Sequence, residues 1–464
     1  MKSVWKAFAL FLAAMVLCSC SILRESEDLS GLPSLEPQQS ISSGTYEPYR
    51  ATLYYLDMQR NTLSAEIREI ELASSIPKAT QVFQALFDGP RERGLNGFGI
   101  NYTFDGVEIT GGIANIYLST RMELSDRQKL TVCAALANTA IDNLGVSYAN
   151  IFLNDEPVYV AGKPCGLFGK TDLDMTAFYD SYMAKIAEPV WSILVALYFL
   201  DDSCDYMVPE ARTLSFEGDN YMEEILYQLS LGPANKSHLT SPLRSNYAFT
   251  YQGEAGRIGT GGILYIDSVQ ALFPNKSNIS MRQHMACLYY SFHGIMQDLK
   301  GMEFSRGLEK TYVTFSIAQL YLGEEILVYF PGKDLRHLEG VYHIVRAGRA
   351  QVLTTYVEEL AGGPSLSESA SVLPCFPEDM GSEGFKSIEM RGNTALVDFS
   401  AEMLYSLEGL QEDELYLFLY SVVNTLCETD SVSAVQFSFE GEIVDELGRF
   451  SLAMPLYPNI GLVQ

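Results

Sequence analysis

Phe83-Gln-Ala-Leu-Phe-Asp-Gly89-Pro90, Ile225-Leu-Tyr-Gln-Leu-Ser-Leu-Gly232-Pro233 and Tyr356-Val-Glu-Glu-Leu-Ala-Gly-Gly363-Pro364 are three renderings of one pattern, an amphipathic stretch closed by glycine and then proline. Glycine accepts the left-handed backbone that ends a helix and proline cannot continue one, so each pair marks a helix C-terminus. The three glycines stand 143 and 131 residues apart. That period is domain-sized rather than solenoid-sized.

The surroundings of each marker recur as well. Upstream lie apolar strands at Thr52–Asp57, Ala196–Asp201 and Ile326–Phe330, each followed by a second strand at Ile67–Leu72, Ala211–Phe216 and Val341–Val345. Downstream come a strand (Gly112–Leu118, Gly262–Asp267, Asn393–Phe399), a helix (Asp126–Asp142, Met281–Asp298, Glu412–Cys427) and a closing strand (Ala149–Leu153, Tyr312–Ile317, Val435–Phe439). The order β-β-α-β-α-β predicts an α+β fold of three tandem small modules, each a short sheet with two helices packed on one face. The expected division is module 1 over 48–165, a protease-sensitive connector over 166–190, module 2 over 191–322 and module 3 over 323–464.

Ahead of the modules, Lys2 and Lys6 precede an apolar run from Ala7 to Leu17. Eleven residues of helix reach about 16 Å, too short for a bilayer core of roughly 30 Å, so the run reads as an export signal. It ends in Leu17-Cys18-Ser19-Cys20, a pattern that resembles the lipobox of bacterial lipoproteins. With small Ser19 before it and Leu17 at minus three, Cys20 is the expected lipid acceptor and residues 1–19 the signal peptide. Acyl chains at roughly 0.8 kcal/mol per buried methylene would hold the chain to a membrane. Residues 20–47, rich in Ser, Glu, Pro and Gln, are expected to be a flexible tether.

Module 1, with Tyr54-Tyr55-Leu56-Asp57, Glu66-Ile-Arg68 and Leu86-Phe-Asp-Gly89-Pro90, resembles the GerMN domain of sporulation and spore-germination lipoproteins. Module 2 keeps Val208-Pro-Glu-Ala-Arg212 and Leu229-Ser-Leu-Gly232-Pro233. Module 3 lacks the Glu-x-Arg element but carries Val397-Asp-Phe-Ser-Ala-Glu402 and Phe437-Ser-Phe-Glu-Gly441-Glu442, which look like the family's later strands. The resemblance implies an extracytoplasmic, lipid-anchored scaffold or assembly factor with protein partners and no enzymatic activity.

Composition and motifs agree with a non-catalytic reading. A formal charge of -27, from 31 Lys and Arg against 58 Asp and Glu, opposes binding to nucleic acid. His284 and His293 are nine residues apart on one helix and face opposite ways, so no metal site is expected there. Ser75-Ile-Pro-Lys78 matches Ser-x-x-Lys, but Ser75 sits where the first helix needs a cap and Pro77 suits its first turn. Paired carboxylates such as Asp201-Asp202 and Glu358-Glu359 read as solvated faces. No catalytic residue, cofactor or metal ligand is assigned. Cys133 and Cys287 occupy similar apolar positions in the second helices and read as buried hydrophobes. The alternatives of another class are a module gripping cell-wall glycan through exposed aromatic residues and, less favoured, a wall-modifying hydrolase.

Overall fold

The structure is a computed structural model that describes residues 46–464, apart from 74–75, 202–204, 219–220, 235–237, 244–248, 253–261, 269–280, 307–308, 315–320, 366–367, 378–379 and 430. Residues 48–72 and 76–464 form one compact unit. Within it the first module runs β1 (Tyr46–Asp57), β2 (Thr62–Ala73), α1 (Lys78–Phe87), β3 (Thr103–Thr110), β4 (Ile113–Ser119), α2 (Asp126–Leu144) and β5 (Tyr148–Leu153). After α3 (Met175–Ala187) the second follows as β6 (Val190–Asp201), β7 (Tyr206–Glu217), α4 (Tyr221–Leu231), β8 (Phe249–Gln252), β9 (Ile263–Ser268), α5 (Met281–His293), β10 (Gly301–Arg306) and β11 (Glu309–Thr314). The third is β12 (Tyr321–Pro331), β13 (Leu338–Arg346), α6 (Leu353–Gly362), β14 (Phe385–Arg391), β15 (Thr394–Phe399), α7 (Ala401–Glu408), α8 (Glu412–Cys427) and β16 (Ala434–Phe439).

The fold is α+β, in three tandem modules that each join a hairpin to a second small sheet. In that second sheet the middle strand pairs antiparallel with the strand before it and parallel with the strand after the module's last helix, which in module 3 is a third one because α7 is added to the expected two: β3-β4-β5, β8-β9-β10 and β14-β15-β16. The strands β3, β8 and β14 extend the order expected from sequence. In β3 and β14 the register breaks, between Phe104 and Gly106 and between Phe385 and Ser387, so the two-residue alternation that marks a strand is interrupted. In module 2 the helix stops at His293 rather than Asp298, where the backbone turns to positive φ. The strand parallel to β9 is therefore Gly301–Arg306, not the expected Tyr312–Ile317, which overlaps the added strand β11.

Gly89, Gly232 and Gly363 all take positive φ directly after α1, α4 and α6, the conformation a side chain would strain. A second feature recurs three times. The N–H of Tyr54 donates to Thr139 Oγ1 (3.2 Å), that of Tyr198 to Ser291 Oγ (3.0 Å) and that of Tyr329 to Thr425 Oγ1 (2.9 Å). Each bond ties the first strand of a module to its last helix inside the core. Removing one hydroxyl orphans a buried N–H, so Thr425→Val is expected to lower stability by about 1–3 kcal/mol in chemical denaturation. Superposed on these bonds, Cys287 lies four residues before its hydroxyl and Cys133 six, so the two thiols are not equivalent; both are buried and neither forms a disulfide.

Modules 1 and 2 share one apolar core that includes Tyr55, Phe83, Trp191 and Phe199, whereas module 3 builds its own around Phe330, Phe399, Phe418 and Phe437. The chain leaving each module returns to the start of that module's second strand. Leu63 N–H donates to Leu173 O at 2.7 Å, Met207 pairs parallel with Leu322, and Leu338 pairs parallel with Val463. In module 2 the returning segment is already β12, so the hairpins β6-β7 and β12-β13 merge into one sheet. The segment 166–190 is not the open linker its composition suggests. Leu167 N–H donates to Leu194 O at 2.7 Å, and α3 is capped by Asp174, whose carboxylate accepts from Thr176 and Ala177.

Candidate functional site: turn clamps and the seam between modules

The Glu-x-Arg element holds the Gly-Pro turn. Arg68 projects from β2 beneath the C-terminus of α1, where Nη1 donates to Ala85 O (2.6 Å) and Nη2 to Gly89 O (2.8 Å). Its Nε donates to Glu66 Oε1 (2.9 Å), and the other oxygen of Glu66 accepts from the N–H groups of Arg91 (2.7 Å) and Glu92 (2.9 Å). A planar guanidinium serves three acceptors at once, and at a helix C-terminus its charge meets the negative end of the dipole. Burial alone would push the Glu66 carboxyl up, but the Glu92 N–H, Arg68 and the Arg91 N–H together hold it below its usual value.

Module 2 repeats the clamp. Arg212 donates to Glu210 Oε1 (2.6 Å), Gln228 O (3.0 Å) and Gly232 O, and Glu210 Oε2 accepts from Ala234 N–H (3.0 Å). Arg68 lies over Tyr55 and Arg212 over Phe199. In module 3 the position of Arg212 in the hairpin register, opposite Val195, is taken by His343 opposite Ile326. Its ring packs on Phe330, with 5.5 Å between centroids. Nδ1 is 2.8 Å from Glu359, and Nε2 is 3.5 Å from Glu368, whose carboxylate accepts the Ser365 N–H (2.6 Å). The turn-capping acid of module 3 is thus supplied 25 residues beyond the imidazole, while among the described residues the arginine's bonds to the helix end are not replaced, His343 Nε2 being buried without a hydrogen bond. A motif of fixed spacing gives no signal for that.

The second region is the seam where the modules meet. Tyr159 Oη donates to Ile295 O (2.6 Å), the Asp298 N–H donates to Glu156 (2.7 Å), and Phe152 stacks on His293 at 5.5 Å. Burial pushes His293 down to about 4, with Asp155 pulling the other way. Beside it lies a cavity of about 20 Å³ lined by Asn115, Tyr117, Asn150, Tyr198 and Tyr290. That is room for about one water, not a ligand. A larger cleft of about 140 Å³ runs from Thr120 and Lys129 past Tyr159 to Gln297, between modules 1 and 2, and its lining holds no His or Cys. Module 3 joins through Thr110 Oγ1, which donates to Gly323 O (2.8 Å), and through His238, which pairs with Glu325 and stacks on Tyr342.

Cys20 and Ser75 lie outside the described residues, as does Asp202. Pro77 is the N-cap of α1 rather than a residue of its first turn. His284 is buried in α5, whereas His293, at the end of the same helix, faces the seam. Asp201 accepts the N–H of Tyr206, Glu358 pairs with Arg349, and Glu359 pairs with His343, so these carboxylates serve turns and ion pairs rather than one shared site. Among the described residues no group of three or more His, Cys, Asp or Glu is placed to hold a metal ion, and no helix is long and apolar enough to cross a membrane.

No curated protein matches the chain. Among solved structures, the tandem GerMN domains of the sporulation protein GerM from Bacillus subtilis match at 15% identity over 58% of this chain and 97% of that one, with a TM-score of 0.23. The first GerMN domain of the same protein matches at 18% identity over 30% of this chain and 98% of that one, again with a TM-score of 0.23. Over residues 327–445, which hold His343, Glu368 and the whole β14-β15-β16 sheet, the chain is matched by the Germane family of sporulation and spore germination.

Proposed function

We propose that this protein is an extracytoplasmic, lipid-anchored scaffold of the bacterial envelope that organises other proteins during sporulation or spore germination. The observation that carries the reading is the family match over module 3. Two features of the chain support it. The export signal ending in Cys20 would place the modules outside the membrane. Modules 1 and 2 joined by a shared core, and modules 2 and 3 by a shared sheet, make a body suited to holding partners together, and outer strands such as β2 keep further backbone groups for strand pairing.

Cys20→Ala tests the anchor. The variant is expected to leave the detergent phase and appear in the medium, or to accumulate unprocessed, while folding as before. Unchanged partitioning of Cys20→Ala with the membrane overturns lipidation at that residue. Cross-linking in sporulating cells tests the scaffold: specific envelope proteins are the expected product. Co-sedimentation with purified peptidoglycan in place of protein capture would favour the wall-binding alternative.

A further inference from the structure

Glu324 sits where module 3 leaves the edge of module 2, and its surroundings give it more than a local task. It follows Gly323, whose carbonyl accepts from Thr110 of module 1, and it is two residues from the Met207–Leu322 pair that joins β7 to β12. The approach at Gly323 is as close as a backbone allows. A Cβ there would stand 2.6 Å from Ile344 Cγ2 and 2.8 Å from Tyr206 Cβ, so the two modules touch main chain to side chain. Only 5% of Glu324 is exposed, and its carboxylate accepts the Gly348 N–H at 3.0 Å.

The charged and titratable groups around it come from all three modules. Glu108 on β3 repels its charge, and Arg346 on β13 attracts Glu108. Tyr117, Tyr198 and Tyr290 surround Glu108. Tyr206 on β7 stands among Asp205, Glu359, Asp201 and Arg346. Glu108 keeps solvent contact, yet its surroundings are dry enough that burial pushes its carboxyl up, with Arg346 opposing. Among the described residues no cation contacts the Glu324 carboxylate in the way Arg68 contacts Glu66. Ionised, Glu324 is a nearly enclosed anion facing a second carboxylate across the junction; neutral, it still accepts the Gly348 N–H.

We propose that Glu324 is a proton-operated latch: neutral, it holds module 3 docked on modules 1 and 2, and ionised, it loosens that docking. The proposal rests on the junction and is independent of the anchor and of any partner.

Burial raises the Glu324 carboxyl to about 7, against the Gly348 and Ala350 N–H groups, and Glu108 adds to the rise. A raised acid retains its proton in the docked form after the undocked form has lost it, so docking weakens as pH rises from the usual carboxylate range to about 7 and then levels off. His293 runs the other way. Its lowered value means that the contribution of the neutral ring is complete above the usual imidazole range and is lost as pH falls toward 4.

Hydrogen-exchange protection factors on the exported chain, corrected for intrinsic exchange, read the opening equilibrium even when the open form is rare. Between pH 5 and 7.5 the ladder amides that join β7 to β12 are expected to lose protection roughly fiftyfold. Glu324→Gln should abolish that loss, and Glu108→Gln, which leaves the clasped carboxylate in place, should shrink it. The Val435 amide in the core of module 3 should hold its protection throughout. Loss confined to Gly348 would make Glu324 a turn cap only and overturn the latch. An undiminished loss in Glu324→Gln would overturn it too, and if that variant does not fold, an undiminished loss in Glu108→Gln decides the same way.

Discussion

Arg68→Ala is expected to lower the stability of the chain by about 3–5 kcal/mol at neutral pH, as measured by urea or guanidinium denaturation. The size follows from what remains behind. Glu66, with a side chain only 5% exposed, would keep its charge in a dry site with no guanidinium beside it. The carbonyls of Ala85 and Gly89 would lose their donors at the end of α1. Arg68→Lys should recover only part of the loss, because one ammonium on a flexible stem cannot reach both carbonyls and the carboxylate with the geometry of a fork. The pH dependence provides a second reading. Since Glu66 is held below its usual value in the fold, its share of stability is present above the ordinary glutamate range and is lost as pH falls through the lowered one. In Arg68→Ala that acid-side loss should shrink, because the native carboxyl moves back up.

Phe399→Ala is the second large change, at about 3–5 kcal/mol for an aromatic core truncation. Phe399 is fully buried at the end of β15 and its ring meets those of Phe376, Phe385, Phe418, Phe437 and Phe439, with centroids 6.0–6.3 Å apart. No neighbour can relax into the space without leaving another gap in the same aromatic cluster. Because module 3 has a core separate from the one shared by modules 1 and 2, calorimetry should show one transition moving down while another stays in place. Phe399→Leu, closer in volume, should cost less than half as much. A uniform drop across a single transition would show that the two cores melt as one.

The helix ends at Gly89, Gly232 and Gly363, the apolar first strands and the Gly-led middle strands were all legible in the chain, because each depends on residues within about ten positions of one another. The bulged strands β3 and β14 were not, since a register break erases the alternation that reveals a strand. The His343–Glu368 pair of module 3 was hidden for another reason. His343 and Glu368 replace a two-residue motif with partners that only the return of the chain past α6 brings together. The seam belongs wholly to this second kind of information. Thr110 meets Gly323 across 213 residues, and nothing near either position marks the encounter. Local backbone preference and side-chain period can write three modules into a sequence. Which of their edges pair, which carboxylates are stripped of water and which modules share a core depend on contacts between distant segments, and those arise only when apolar faces from separate parts of the chain are buried against one another.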